Sequence, residues 1–258
     1  MSDVLRASTD DRGVVTLTLN RPDVRNAFDD TVIEAITRHI TDLAPDARVL
    51  VLAGAGKVFS AGADLNWMRS MRDFGFAENL ADSTRLREMF EALDGLSLPK
   101  VARVHGAAVA GATGLVACCD VAVAAEGTVF AFTEVRLGLV PAVISPYVVR
   151  KVGYAFARAA FLTAERFDAG RAREVGLVHR VVPSEDLDAA VEEYVQAFLA
   201  AGPDAVRRTR DLLDAVWGRH PDEVGERTVE AIAEARVSDE GQEGIASFFE
   251  KRPPRWAR

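Results

Sequence analysis

VARVHGAAVAGATGLVACCDVAVAAEGTVFAFTE, residues 101–134, decides how the chain is read. Val101–Val104 predicts a short strand, His105–Gly111 a turn built from Gly and Ala, and Ala112–Cys119 a helix with almost no side-chain bulk. A helix that leaves a glycine-rich turn presents unpaired backbone N–H groups, and small residues let an acceptor oxygen come close. That geometry suits a developing oxyanion. Gly106, Gly111 and Gly114 equally serve a tight turn and close helix packing, so this turn taken alone does not choose.

A second small-residue turn sharpens the reading. GAGKVFSAGADL, residues 54–65, follows the apolar run RVLVLA at 48–53, so it too leaves a predicted strand. Two such exits can converge, and an oxyanion hole needs two donors about 3 Å from one oxygen.

Around these turns the composition sets the limits. With 258 residues, 49% hydrophobic and 27% charged, the chain fits one sizeable α/β domain, or one domain with a helical appendage. A net charge of -8 argues against a nucleic-acid partner, so a polyanionic ligand needs a local basic patch. MSDVLRASTD has no leader pattern, and no run reaches about 18 apolar residues, so a cytoplasmic protein without a membrane partner is expected. Cys118 and Cys119 are adjacent in a predicted helix, diverge, and read as buried thiols. His39, His105, His179 and His220 are scattered without metal-ligand spacing, so no metal is expected. The absence of GxSxG and of GxGxxG after a strand weakens hydrolase and dehydrogenase readings.

FSAGADL at 59–65, HGAAVAGATGL at 105–115 and FTEVRLGLVP at 132–141 resemble the crotonase (enoyl-CoA hydratase/isomerase) superfamily over essentially the full length. ADLNWMRSM at 63–71, ENLAD at 78–82 and EVRLGLVPAVISPYVVRKVG at 134–153 are most similar to bacterial 3-methylglutaconyl-CoA hydratases of leucine catabolism. The resemblance implies an α/β spiral of repeated ββα units over 1–200. It also implies a C-terminal helical region over 201–258 that makes a homotrimer, often stacked into a hexamer. Its substrate is an acyl-CoA thioester, and no cofactor is needed beyond the coenzyme A that the substrate carries.

The same resemblance assigns the Ala63 and Gly111 N–H groups to the oxyanion hole. It places Arg25 at a phosphate, the Ala27 backbone at the pantetheine, and Ala61, Asp64 and Leu65 along the groove. Phe248 and Lys251 meet adenine and phosphate, commonly of a ligand held mainly by a neighbouring subunit. Read without the family, Arg25 is a solvated loop arginine, Asp64 a helix N-cap and Phe248 a core-facing aromatic. Trp67 and Met68 are candidate walls of an acyl pocket formed by residues 66–80, a Met-, Phe-, Trp- and Arg-rich stretch expected to be irregular.

Superfamily hydratases share the reaction between two glutamates. The second is present as Glu134; the position of the first is Gly114, and no Asp, Glu, Tyr or His lies elsewhere between Ala107 and Cys119. Hydration of a 2-enoyl thioester needs a base to deprotonate water as the thioester oxygen becomes an enolate. One glutamate leaves several readings open: a hydratase using Glu134 alone or with an unidentified helper, a Δ3,Δ2-enoyl-CoA isomerase, or an acyl-CoA-binding protein without turnover. A distal acyl carboxylate would want Arg69, Arg72 or Arg136. PAVISP at 141–146 should shape the acyl pocket.

The remaining elements follow from periodicity and punctuation. A hairpin joins 3–8 to 13–19, and helices are expected over 31–43 (capped by Asp29 or Asp30), 82–93, 154–162 and 168–173 (capped by Asp168). A strand is expected at 177–182, followed by helices over 184–201, 204–216, 222–237 and 240–250.

Overall fold

The computed structural model describes residues 4–257. The expected hairpin forms from β1 (Leu5–Thr9) and β2 (Val14–Leu19), paired antiparallel. Helix α1 (Asp30–Thr41) is capped by Asp29, whose side chain accepts from the Val32 N–H, and buries Val32, Ile33, Ala35, Ile36 and Ile40. β3 (Val49–Gly54) is buried along its whole length, as a parallel strand covered on both faces must be. Leu50 and Leu52 enter the larger core, while Val49 and Val51 face a second one.

Residues 66–80 correct the sequence reading. They form α2 (Leu65–Ser70), a 3-10 turn at Met71–Asp73 and the start of α3 (Phe76–Gly95). Asp64 caps α2 through the Asn66 and Trp67 amides, and Glu78 turns back to the Gly75 N–H, so local caps nucleate helix where the apolar spacing is poor. The helix expected at 82–93 is thereby lengthened at both ends.

β4 (Lys100–Val104) leads to β5 (Ala107–Val109), a short strand inside what reads as a turn, and then to α4 (Gly111–Ala117). β6 (Val121–Ala125), β7 (Val129–Ala131), a 3-10 turn at Glu134–Leu137 and α5 (Ser145–Val152) repeat the pattern. Ser60 makes a parallel bridge to Ala108, so β3, Ser60 and α2 form the same unit one turn earlier. The architecture is α/β, a spiral of ββα units, as the resemblance implies. The chain also turns helical earlier than expected, at α5.

The chain continues through α6 (Tyr154–Thr163), β8 (Arg166–Asp168), α7 (Ala169–Glu174), β9 (Arg180–Val182) and α8 (Leu187–Ala200). Asp168 caps α7 as expected, whereas the strand expected at 177–182 begins only at Arg180. The large sheet has the order β1-β2-β3-β4-β6-β9 and the small one β5-β7-β8. α9 (Pro203–Val216), α10 (Pro221–Val237) and α11 (Asp239–Glu250) complete the chain. α9 and α10 bury no residue, and Phe248, core-facing by simple expectation, is 78% exposed. Cys118 and Cys119 are free and buried, and burial raises the pKa of both thiols. No helix among the described residues is long and apolar enough to cross a membrane.

Candidate active site

The two turns meet. Phe59 N–H donates to the His105 carbonyl at 2.8 Å, Ser60 N–H to Ala107 at 3.1 Å, and Val109 N–H to Ser60 at 3.2 Å. Gly106 has φ +66°, and a Cβ there would overlap the Lys57 carbonyl oxygen, so only glycine allows this approach. Gly62, at φ +87°, would set a Cβ 2.8 Å from the Val109 carbonyl oxygen.

Phe28, which the sequence reading passed over, aligns both turns. Its N–H donates to the Gly62 carbonyl at 2.7 Å and its carbonyl accepts from Asp64 N–H at 2.7 Å. In such a parallel bridge the intervening residue's own N–H and C=O point away, so Ala63, itself exposed, turns its amide away from Phe28. The Phe28 ring lies under Gly111, where an added Cβ would stand 3.2 Å from Phe28 Cε2. Among the described residues neither the Ala63 nor the Gly111 amide donates to a backbone acceptor.

Polar groups brace the first turn from behind. Buried Asn26 donates its amide to the Ala55 and Val58 carbonyls at 2.8 and 2.9 Å, and Ser60 Oγ donates to the Asn26 carbonyl at 2.7 Å. Arg21 pairs with Asp29 at 2.8 Å and Asp64 at 3.0 Å. Burial works against the charge of Asp64, but the Asn66 and Trp67 amides and Arg21 together hold its pKa below the usual carboxylate range. Asp64 is therefore an N-cap and an ion-pair partner. Arg25 is exposed with φ 56°, its carbonyl accepting from Ala61 N–H at 2.9 Å, and Ala27 is buried. Leu65 is exposed, while Trp67 is half-buried against the core.

β7 runs parallel to β5 and delivers Glu134 to the same end as Gly111. Val109 pairs with Ala131, and Ala110 N–H donates to the Ala131 carbonyl at 2.8 Å, three residues before Glu134. Among the described residues Glu134 Oε2 is the buried side-chain oxygen without a hydrogen-bond partner. Burial raises the Glu134 pKa. A desolvated carboxylate with a vacant lone pair is suited to take a proton from water or carbon.

At Gly114 the space for a second acid is closed. A Cβ there would overlap Ile144 Cγ2 and stand 2.9 Å from Ile144 Cβ and 3.0 Å from Phe90 Cε1. Both neighbours are fully packed, with Phe90 stacked on Tyr147 at 5.8 Å. PAVISP thus delivers an apolar plug. Of the three arginines offered for a distal carboxylate, Arg136 donates to the Ala164 carbonyl at 2.8 Å, and Arg69 and Arg72 are exposed.

Phe248 and Lys251 lie at the exposed end of α11, Lys251 as its left-handed C-cap. A cavity of about 920 Å³ lies elsewhere, between α8 and the face of the large sheet bearing Thr16, Val51 and Arg103, and is lined by none of Ala63, Gly111 and Glu134. Volume does not locate this site; the unpartnered carboxylate beside the two turns does.

Comparison with known proteins agrees with this fold. Residues 9–258 match the family described as Enoyl-CoA hydratase/isomerase. A Thermus thermophilus protein provisionally named an enoyl-CoA hydratase is 37% identical, with 94% of this chain and 97% of the relative covered. A Shewanella pealeana enoyl-CoA hydratase structure superposes with TM-score 0.93 at 42% identity, covering 98% of this chain and 96% of that one. A Legionella pneumophila structure, provisionally named an enoyl-CoA hydratase/isomerase (crotonase), gives TM-score 0.95 at 40% identity over 99% and 100% of the two chains.

Proposed function

The chain belongs to the enoyl-CoA hydratase/isomerase family, and we propose that it adds water to a 2-enoyl-CoA thioester using Glu134 as its one catalytic carboxylate. The observation that carries this reading is Glu134 Oε2, buried without a partner beside the two turns. The ionised carboxylate takes a proton from water as the oxygen bonds to the β-carbon. The electron pair of the double bond moves onto the thioester oxygen, where the Ala63 and Gly111 amides receive it. Glu134 then returns the proton to the α-carbon, so one group serves as base and then as acid.

Coenzyme A would lie along Arg25, Ala27, Ala61, Asp64 and Leu65, with Trp67 toward the acyl group. The proposed acyl group is 3-methylglutaconyl, supported by the motif likeness and by exposed Arg69 and Arg72 as partners for its distal carboxylate. Residues 201–258 would form the oligomerisation region of a homotrimer or hexamer. Exposed Leu213 on α9, Trp217 just after it, and Val229 and Ile232 on α10 support this, with Phe248 and Lys251 reaching a neighbour's ligand.

The test follows loss of the conjugated enoyl-thioester absorbance with 3-methylglutaconyl-CoA and crotonyl-CoA, together with the gain of one water in the product. Glu134→Gln should lower kcat roughly 10³-fold with CoA binding intact. A folded, CoA-binding wild type that hydrates neither thioester would sink the hydratase reading. The apolar plug at Gly114 favours one second reading, proton transfer between carbons of a 3-enoyl-CoA, recognised by a conjugated product carrying no oxygen from water.

A further inference from the structure

We propose that Ala110 is a positioning residue whose methyl group, set against Gly62, holds the two oxyanion donors in place. Ala110 immediately precedes Gly111, and Gly62 immediately precedes Ala63. Both have positive φ, +52° for Ala110 and +87° for Gly62. With ψ -122°, Ala110 occupies a region of backbone space that glycine enters freely and alanine enters only under constraint. The constraint is visible. Ala110 N–H donates to the Ala131 carbonyl at 2.8 Å, and its own carbonyl accepts from Thr113 and Gly114 N–H at 2.9 and 3.3 Å. A Cβ on Gly62 would stand 3.2 Å from the Ala110 Cβ, so the methyl faces the bare α-carbon of the opposite turn.

A glycine at 110 could make every one of these backbone bonds without strain. What the methyl adds is a spacer between the two turns and a restriction on the peptide that carries the Gly111 N–H. Removing it frees that peptide to rotate and lets the turns approach. Misplacing a reacting group by about 1 Å costs on the order of 10²-fold in rate.

The inference rests on the oxyanion hole of the proposed function, so its test reads the hole directly as well as through turnover. Donors at a thioester carbonyl polarise the conjugated system and red-shift its absorbance. Bound 2,4-hexadienoyl-CoA is the probe, compared across wild type, Ala110→Gly and Ala110→Ser. Ala110→Gly should keep the melting temperature of the wild type or raise it, shrink the red shift, and lower kcat about tenfold to a hundredfold with KM unchanged. Ala110→Ser, which retains a Cβ, should keep the red shift and most of kcat. A glycine variant with the wild-type red shift and kcat overturns the proposal, as does a loss that tracks lowered stability or raised KM. A wild type that binds the probe without a red shift overturns it too. If the wild type shifts the probe and hydrates no 2-enoyl-CoA, the hydratase reading fails while the role of Ala110 stands or falls on the variant spectra.

Discussion

The turns at 54–65 and 105–114 do the same structural job with different shares of bonding and contact. Both pack tightly at glycines, Gly54 on Phe59 and Gly62 on Val109 in the first, but the first carries more side-chain hydrogen bonds. The first is tied from behind by side-chain hydrogen bonds: Asn26 to Ala55 and Val58, Ser60 to Asn26, Arg21 to Asp64. The second is wedged chiefly by contact, with Thr113 Oγ1 donating to the Ala108 carbonyl at 2.8 Å: Gly106 on Lys57, Gly111 on Phe28, Ala110 on Gly62 and Gly114 on Ile144 and Phe90. A hydrogen bond sets direction and contributes about 1 kcal/mol net, and water can replace part of it. A filled contact has no substitute, because neighbouring atoms must move. The wedged turn should therefore tolerate change less than the tied one.

The severest break should come from Gly106→Ala. Positive φ and overlap with a backbone oxygen act together there, and urea denaturation should show a loss of about 4 kcal/mol or more. Gly114→Ala meets side chains that can yield, so a loss of about 2–3 kcal/mol is expected. Combining it with Ile144→Ala, which removes the overlapping Cγ2, should recover part of that loss, a non-additivity that a double-mutant cycle measures. Strict additivity would show that Ile144 does not fill the space. For the same reason Gly114→Glu alone should fail to install a second working carboxylate.

On the tied side, Asn26→Ala should cost about 2 kcal/mol by taking the donor from the buried Phe59 carbonyl and the half-buried Ala55 and Val58 carbonyls. A loss larger than that of Gly114→Ala would reverse the comparison.

The smallest effects come from the two carboxylates, and they have opposite signs. Asp64 has a folded pKa below its unfolded value, so its contribution is present above the ordinary carboxylate range and is lost as pH falls through the folded value. Glu134 has a raised folded pKa, so the fold prefers it protonated and stability falls as pH rises from the unfolded value through the folded one. Glu134→Gln should then be more stable than wild type at pH 7 while losing turnover, and Asp64→Asn less stable at pH 7 with the difference closing in acid. Denaturation midpoints at pH 7 and pH 4 decide Glu134, and a series continued well below the ordinary aspartate value of about 3.9 decides Asp64. The acid limb of kcat/KM should lie above the ordinary glutamate pKa of about 4.3.

Much of the site was legible because its parts are short and local. The strand–turn–helix order around Gly106 and Gly111, the buried cysteine pair and the Asp29 and Asp168 caps depend on neighbours a few residues away. Residues 66–80 misled because unfavourable apolar spacing hid two local caps, Asp64 and the Gly75–Glu78 pair. Phe28 was missed because its importance lies in backbone bonds to residues more than thirty positions away, which no side-chain pattern records.

From sequence alone the protein is an α/β chain with two glycine-rich strand exits, a family likeness and a lone Glu134 facing an absent partner. These follow from residue type and spacing. Tertiary structure decided what the absence at Gly114 means, filling the space with Ile144 and Phe90. It also decided that Glu134 Oε2 is buried without a partner and that Ala110 is forced into a glycine conformation between the turns. Burial, overlap and backbone direction depend on atoms from distant segments meeting in space, and a linear pattern carries no distance between them.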